Sequence, residues 1–394
     1  MIKKDKISNP DLVSKLRNLG PLFFERRLKS NKLRRLPEDN ISDLIDSQVL
    51  KACQPKRVGG FELPFGAQTS AGAEIAKYCG SSGWIVSVCG THHWMMGKFP
   101  IKAQDDVWGK NQNLIVASAF ASEKESIEIS EDGYKISGKW LFASGIHLSD
   151  WVIILCRITK NSAPPNMMFM LVPKEDFKIQ DSWKTVGLRG TGSHDIVIKN
   201  AFIPKHRTLS HSVMNSLDTP GTIGNPNSVY RLPMSGVINY CVSAPTLGMA
   251  EGALDAFIKK MSPRTSIFAQ KIANNPTLQL RTSESSAEID CARLLYENDL
   301  SRIKDSLKKT KPLQLHEIAK IKRNASYVGE LARRATNRLA SAMGAKGLDE
   351  KNLVHLANSD INAACSHISM VWDTCSLPYG MSQLGILTPE SLGP

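Results

Sequence analysis

The stretch Trp183-Lys184-Thr185-Val186-Gly187-Leu188-Arg189-Gly190-Thr191-Gly192-Ser193-His194-Asp195 decides how this 394-residue chain is read. Three glycines interrupt a β pattern here, and no helix-start signal accompanies them. Glycine permits positive φ and removes the Cβ that would hold a neighbour away, while Thr191 and Ser193 add hydroxyls. Two readings stand side by side: a backbone that a planar cofactor or an anion approaches, and a tight turn between two strands. A dinucleotide loop needs G-x-G-x-x-G between a strand and the opening of a helix, whereas Asp195 to Val197 read as strand again. The run is therefore not a dinucleotide-binding loop of the Rossmann type.

Working outward, a period of two begins near Leu114. Ile127 and Ile129 alternate with polar residues, Glu131-Asp132-Gly133 turns the chain, and Tyr134, Ile136 and Trp140-Leu141-Phe142 return as the partner strand of a hairpin. Trp151 to Ile158, Met167 to Val172 and Asp195 to Ile203 are further strands, so residues 111–208 read as a small, mainly antiparallel sheet. Residues 1–110 read as helical. Ile41, Leu44, Ile45 and Val49 share one face behind a cap at Asn40 or Ser42, and Thr69 to Lys77 and a segment opening at Ser81-Ser82-Gly83 follow. In residues 209–394, Tyr240 to Met261, Thr282 to Lys308, Leu315 to Met343 and Asn352 to Asp373 are long periodic segments that predict a four-helix bundle. Pro220 to Pro226 reads as a flexible loop. The fold class is α+β, mainly α.

Composition narrows the function. The chain is 42% hydrophobic, ample for a sizeable core. The charged start, Met1 to Lys6, leads into no apolar signal region, and no stretch reaches the roughly 18 apolar residues of a membrane span, so a cytoplasmic, membrane-free protein is expected. Eight cysteines show no metal or disulfide spacing, so reduced thiols and no metal are expected. The net charge of +13 is spread over Arg26 to Arg35, Lys304 to Lys311 and Arg333 to Arg338 without a nucleic-acid signature. An enzyme with an anionic cofactor or substrate is the more economical reading.

The order helical, sheet, bundle, together with four spaced motifs, resembles the acyl-CoA dehydrogenase superfamily. More narrowly, it resembles the flavin-dependent monooxygenase branch, the oxygenase components of two-component aromatic hydroxylases. The motifs are Ser81-Ser82-Gly83-Trp84 with Gly90-Thr91-His92; Gly133 to Gly145; Trp183 to Asp195; and Asp360 to His367. The resemblance implies that reduced flavin, FMN or FAD, arrives from a separate NAD(P)H-dependent reductase. It reacts with dioxygen to a C4a-hydroperoxide, which hydroxylates a small aromatic substrate. A homotetramer is implied by analogy.

The same resemblance assigns roles. Ser144 corresponds to a hydroxyl near flavin N5, His367 to a residue beside the flavin C4a edge, and His92 to the group that accepts or orients the proton of a phenol or an indole N–H. Imidazole suits such work because its ordinary pKa is about 6.5. The spacing of Ser118 on the first strand suggests a substrate or flavin contact, and His93, which points about 100° away from His92 on a helix, reads as structural. Trp140, Leu141 and Phe142 would offer backbone groups and apolar surface to the ring, and Thr191 and Ser193 would meet the ring or the ribityl chain. Arg264, matched to an arginine that opens a bundle helix, would meet the flavin phosphate, with Gly344 and Gly347 in the turn facing it; guanidinium binds phosphate through two parallel donors. Without the resemblance, Ser144 reads as a strand-end serine, His367 as a core histidine and Gly344 as a helix cap.

Departures from the family pattern are visible. Tyr379 stands where one dehydrogenase subgroup carries its carboxylate base, and a phenol with an ordinary pKa of about 10 is a poor base at neutral pH. Ser359 replaces an arginine frequent before Asp360, and His194 replaces a frequent lysine. Oxygenation of nitrogen or sulfur by the same chemistry, and acyl-CoA dehydrogenation, are the alternatives.

Overall fold

The computed structural model describes residues 8–159, 166–266, 269–308 and 312–392; the charged start at Met1 to Lys6 and part of the Lys304 to Lys311 cluster lie outside them. The N-terminal part holds α1 (Asn9–Leu33), α2 (Glu38–Ser47), α3 (Ala67–Ala76), α4 (Gly80–Met96) and α5 (Ile101–Trp108). Pro37 precedes α2, and Glu38 and Asp39 fill its first turn, where the helix dipole favours acids. The cap expected at Asn40 is displaced. Asn40 is buried inside the helix, and its side chain joins Arg26 on α1 to Ser82 on α4. Every residue of α4 is buried, which makes it the axis on which the other parts assemble.

The β region forms two four-stranded sheets, where the sequence suggested one. β1 (Val116–Ala119), β4 (Trp151–Ile158), β5 (Asn166–Pro173) and β8 (Thr208–Ser210) make the first, in the order β1-β4-β5-β8. β2 (Ala121–Ile129), β3 (Gly133–Ala143), β6 (Phe177–Gln180) and β7 (His194–Pro204) make the second, in the order β2-β3-β7-β6. The hairpin pairs Ile127 with Ile136 and Ile129 with Tyr134, in the register its alternation demands. Because the β2–β3 hairpin leaves for the second sheet, β1 rejoins β4 in parallel. Two apolar inner faces then need each other, and Trp140, Ile136, Ile154 and Met170 fill the space between them.

After the short α6 (His211–Met214), the bundle consists of α7 (Tyr240–Met261), α8 (Pro276–Lys308), α9 (Leu315–Ala342), α10 (Leu353–Ala364) and α11 (Trp372–Gln383). The fourth helix of the sequence reading is thus two. Between them, Asn239 Nδ2 donates to Ser369 O and Ser326 Oγ to Met370 O. Side chains from neighbouring segments occupy carbonyls that a continuing helix would have used, so the chain can turn without a proline or a glycine. The segment Pro220 to Pro226 is anchored: buried Asn225 donates to Gly97 O and Gln104 Oε1.

Candidate active site

The end of β3, the start of β7 and α4 meet in a line of hydrogen bonds. Trp84 Nε1 on α4 donates to Ser144 Oγ at 3.2 Å; Ser144 Oγ lies 2.7 Å from Ser193 Oγ, which lies 2.7 Å from Thr191 Oγ1. Thr191 Oγ1 donates to Leu188 O at 2.8 Å. Ser144 is half-buried and open to a ligand, whereas Thr191 and Ser193 are 2% and 3% exposed. The two hydroxyls expected on a ring or ribityl chain therefore stand behind Ser144, engaged with protein partners.

Two turns along α4 from Trp84, about 12 Å at 1.5 Å per residue, His92 meets β1. Its Nδ1 lies 2.9 Å from Val116 O and its Nε2 2.8 Å from Ser118 Oγ. A carbonyl can only accept, so Nδ1 carries the hydrogen and Nε2 receives the Ser118 proton. Burial pushes the His92 pKa down to about 4, which keeps the ring neutral at pH 7. His93 points elsewhere, its ring 5.2 Å from that of Trp108.

His367 stands in the turn after α10, not on a helix, with its ring 5.9 Å from Trp84 and Nδ1 accepting from Ser369 N. Protein packed around it lowers its pKa. Trp84 thus touches both Ser144 and His367.

Asp360, on the preceding turn of α10, is 7% exposed, and its Oδ1 accepts from Leu188 N at 2.6 Å. Burial raises its pKa to about 7. The loop it holds is tight for a reason internal to the protein. A Cβ on Gly187 would sit 2.1 Å from Ser359 O, and one on Gly190 would crowd Ser30 and Ser81. The neighbours that these glycines admit are α10, α1 and α4 rather than a ligand. His194, in the place of the frequent lysine, accepts from Ser182 N and Trp183 N and pins the loop's entry.

At the far end of α10 lies a hollow of about 340 Å³, lined by Asn337, Ser341, Gly344, His355 and Asn358. Arg264 reaches its rim by donating to Met343 O at 2.9 Å. It stands just past the end of α7 rather than at the start of a helix. Gly344 closes α9 at φ +65°, and buried Gly347 packs on Met343 and His355. His355 Nε2 is buried with no hydrogen-bond partner, so the hollow keeps an unused polar group beside it.

Trp140 leaves the candidate set as a ring-contacting side chain. It is fully buried between the sheets and its indole N–H is used by Leu155 O. Phe142, two residues on, is 58% exposed at φ +66°, with Trp183 edge-on at 6.2 Å. Trp84 and Asp360 are the residues that carried no role in the sequence reading. The first could have been found from its eight-residue spacing to His92, which keeps both on one side of a helix; no local signal marks the second. Among the described residues, no group of three or more His, Cys, Asp or Glu side chains could hold a metal ion, and no helix is long and apolar enough to cross a membrane.

Known proteins share the architecture that carries these residues. A family model described as acyl-CoA dehydrogenase, C-terminal domain, matches residues 240–372. The chain is 34% identical over 282 residues to the flavin-dependent monooxygenase oxygenase subunit HsaA of Rhodococcus jostii (strain RHA1), covering 71% of this chain and 74% of that one. It is 31% identical to the oxygenase component of an FADH2-dependent resorcinol hydroxylase of Rhizobium sp. (strain MTP-10005), over 95% and 94% of the two chains. The crystal structure of 3-HSA hydroxylase from Rhodococcus sp. RHA1 superposes with a TM-score of 0.93 at 28% identity, covering 97% of this chain and 98% of that one. The chain belongs to the oxygenase subunits of flavin-dependent monooxygenases, a branch of the acyl-CoA dehydrogenase superfamily.

Proposed function

We propose that this enzyme is the oxygenase component of a two-component system that uses reduced flavin and dioxygen to hydroxylate a small phenol or indole-like substrate. The observation that carries the substrate class is the Ser118–His92 pair. With Nδ1–H fixed on Val116 O, His92 Nε2 has only an acceptor to offer. A phenol O–H placed on Ser118 Oγ can pass its hydrogen into the pair as Ser118 passes its own to Nε2. Burial disfavours the imidazolium until phenolate charge stands beside it, so proton transfer is coupled to the presence of an acidic ring substituent.

The residues around Ser144 fit a reduced flavin, since Ser144 Oγ keeps a lone pair for the N5 hydrogen and Phe142 and Trp183 offer apolar surface nearby. When bound, reduced flavin supplies the two electrons by which dioxygen gives one oxygen atom to the ring and the other to water. Ser144 holds the N5 hydrogen in place. His367, across Trp84, is assigned to the oxygen side. Arg264, Gly344 and Gly347 are assigned to the flavin phosphate, supported by the guanidinium beside a hollow whose lining includes Asn337, Ser341 and Asn358. We assign the chain to a homotetramer served by a separate NAD(P)H-dependent flavin reductase.

The test is to mix the anaerobic complex with FADH2 or FMNH2 into oxygenated buffer, with and without a panel of phenols and indoles. Ring-hydroxylated product and hydrogen peroxide are measured together. Product from at least one phenol or indole, with peroxide falling in proportion, supports the reading. Stoichiometric peroxide with every member of the panel overturns it. Light scattering on the purified chain tests the tetramer.

A further inference from the structure

We propose that Trp84, Ser193 and Thr191 are positioning residues that make Ser144 an obligate hydrogen-bond acceptor. The site thereby selects reduced flavin, whose N5 carries a hydrogen, over oxidised flavin, whose N5 is itself an acceptor. The inference rests on the assignment of Ser144 to N5 made above.

The argument is a count of hydrogens. The line begins at an indole N–H, which only donates, and ends at a carbonyl, which only accepts. Between Trp84 Nε1 and Leu188 O lie three hydroxyls and four gaps, of 3.2, 2.7, 2.7 and 2.8 Å. Four hydrogens are available, one from the indole and one from each hydroxyl, so each gap holds one. Ser144 therefore donates to Ser193, and Ser193 to Thr191. Reversing the direction leaves Thr191 Oγ1 and Leu188 O facing each other 2.8 Å apart with no hydrogen between them.

The terminus is firmly held. Leu188 O also receives Trp183 Nε1 at 2.9 Å and Thr191 N at 3.2 Å, and Leu188 N is tied to Asp360. Water cannot repair a broken link where Thr191 and Ser193 are 2% and 3% exposed. Ser144 is left with one open lone pair and no spare hydrogen. A ligand donor completes it, and a ligand acceptor meets lone pair against lone pair.

Removing one hydroxyl releases a hydrogen. In Thr191→Val, Ser193 can donate back to Ser144, which can then turn its own hydrogen outward. In Ser193→Ala, Ser144 is freed directly. Dissociation constants of FAD and FMN, each oxidised and reduced, are measured anaerobically together with the midpoint potential of the bound flavin. The expected result is that both variants lower the ratio of oxidised to reduced dissociation constants by about tenfold, the scale of one hydrogen bond. This lowers the bound two-electron potential by about 30 mV. Thr191→Ser, which keeps the hydroxyl, restores both. Equal weakening of the two redox forms in Thr191→Val, or unchanged ratios in both variants while Ser144→Ala weakens reduced-flavin binding, overturns the proposal and leaves the placement of Ser144 intact. Unchanged affinities in Ser144→Ala overturn that placement as well.

Discussion

His92 and Ser118 work as one acceptor, so removing either end should separate two outputs that a general loss of fold would lower together. His92→Ala is expected to cut hydroxylated product by about 100-fold or more, the range of a lost acid–base group, while flavin oxidation continues and appears as peroxide. Product and peroxide assayed in one reaction check this. Asp360 makes a prediction on stability. Its pKa rises from an ordinary 3.8 to about 7 on folding, so the folded chain holds a proton that the unfolded chain has released between those values. Its contribution is complete below pH 4 and is lost as pH rises through 7. Asp360→Asn keeps an oxygen for Leu188 N and removes the charge, so its melting temperature should exceed that of the parent at pH 8 and converge with it at pH 4. A parallel pair of melting curves would refute this.

At the scale of elements, the hairpin and the long bundle helices were legible because their apolar periods are uninterrupted, as Ile127 opposite Ile136 illustrates. The break at His367 was not legible. It depends on Asn239 and Ser326, more than forty residues away in sequence, arriving to take the carbonyls of the turn. The second sheet was hidden for a similar reason, since alternation shows which residues face inward but not which sheet faces them. At the site, Ser118 and His92 stood as separate candidates and meet by a hydrogen bond that joins α4 to β1. The glycine-rich run leaves open whether a ligand or the protein itself approaches it, and at Gly187 the close neighbour is α10. Gly187→Ala should therefore cost about 1–3 kcal/mol, typical of overpacking, because the new methyl meets Ser359 O and pushes Leu188 off Asp360. Denaturant unfolding measures the loss, and a variant as stable as the parent would refute the packing argument.

Across the whole molecule, α10 connects the two regions, with His355 and Asn358 lining the Arg264 hollow and Asp360 holding the loop behind Ser144, and the outer helices display exposed leucines, Leu280 and Leu294 on α8 and Leu377 on α11. Such a surface suits an assembly of copies, and a flavin extending between copies would join the two regions. Arg264→Ala is expected to weaken FMN and FAD binding by about tenfold, as loss of a charged hydrogen bond should. Riboflavin, which lacks the phosphate, should bind unchanged, and titration of the three flavins decides the matter. One further consequence follows from α4. Its seventeen residues are all buried, and Trp84 and His92 ride on it together. The spacing between Trp84 and His92 is therefore a fixed ruler set by helical rise, which no single substitution can lengthen. Under the proposed roles, changes in substrate size have to come from residues outside α4, such as those of β1 beside Ser118, while the ruler is inherited whole.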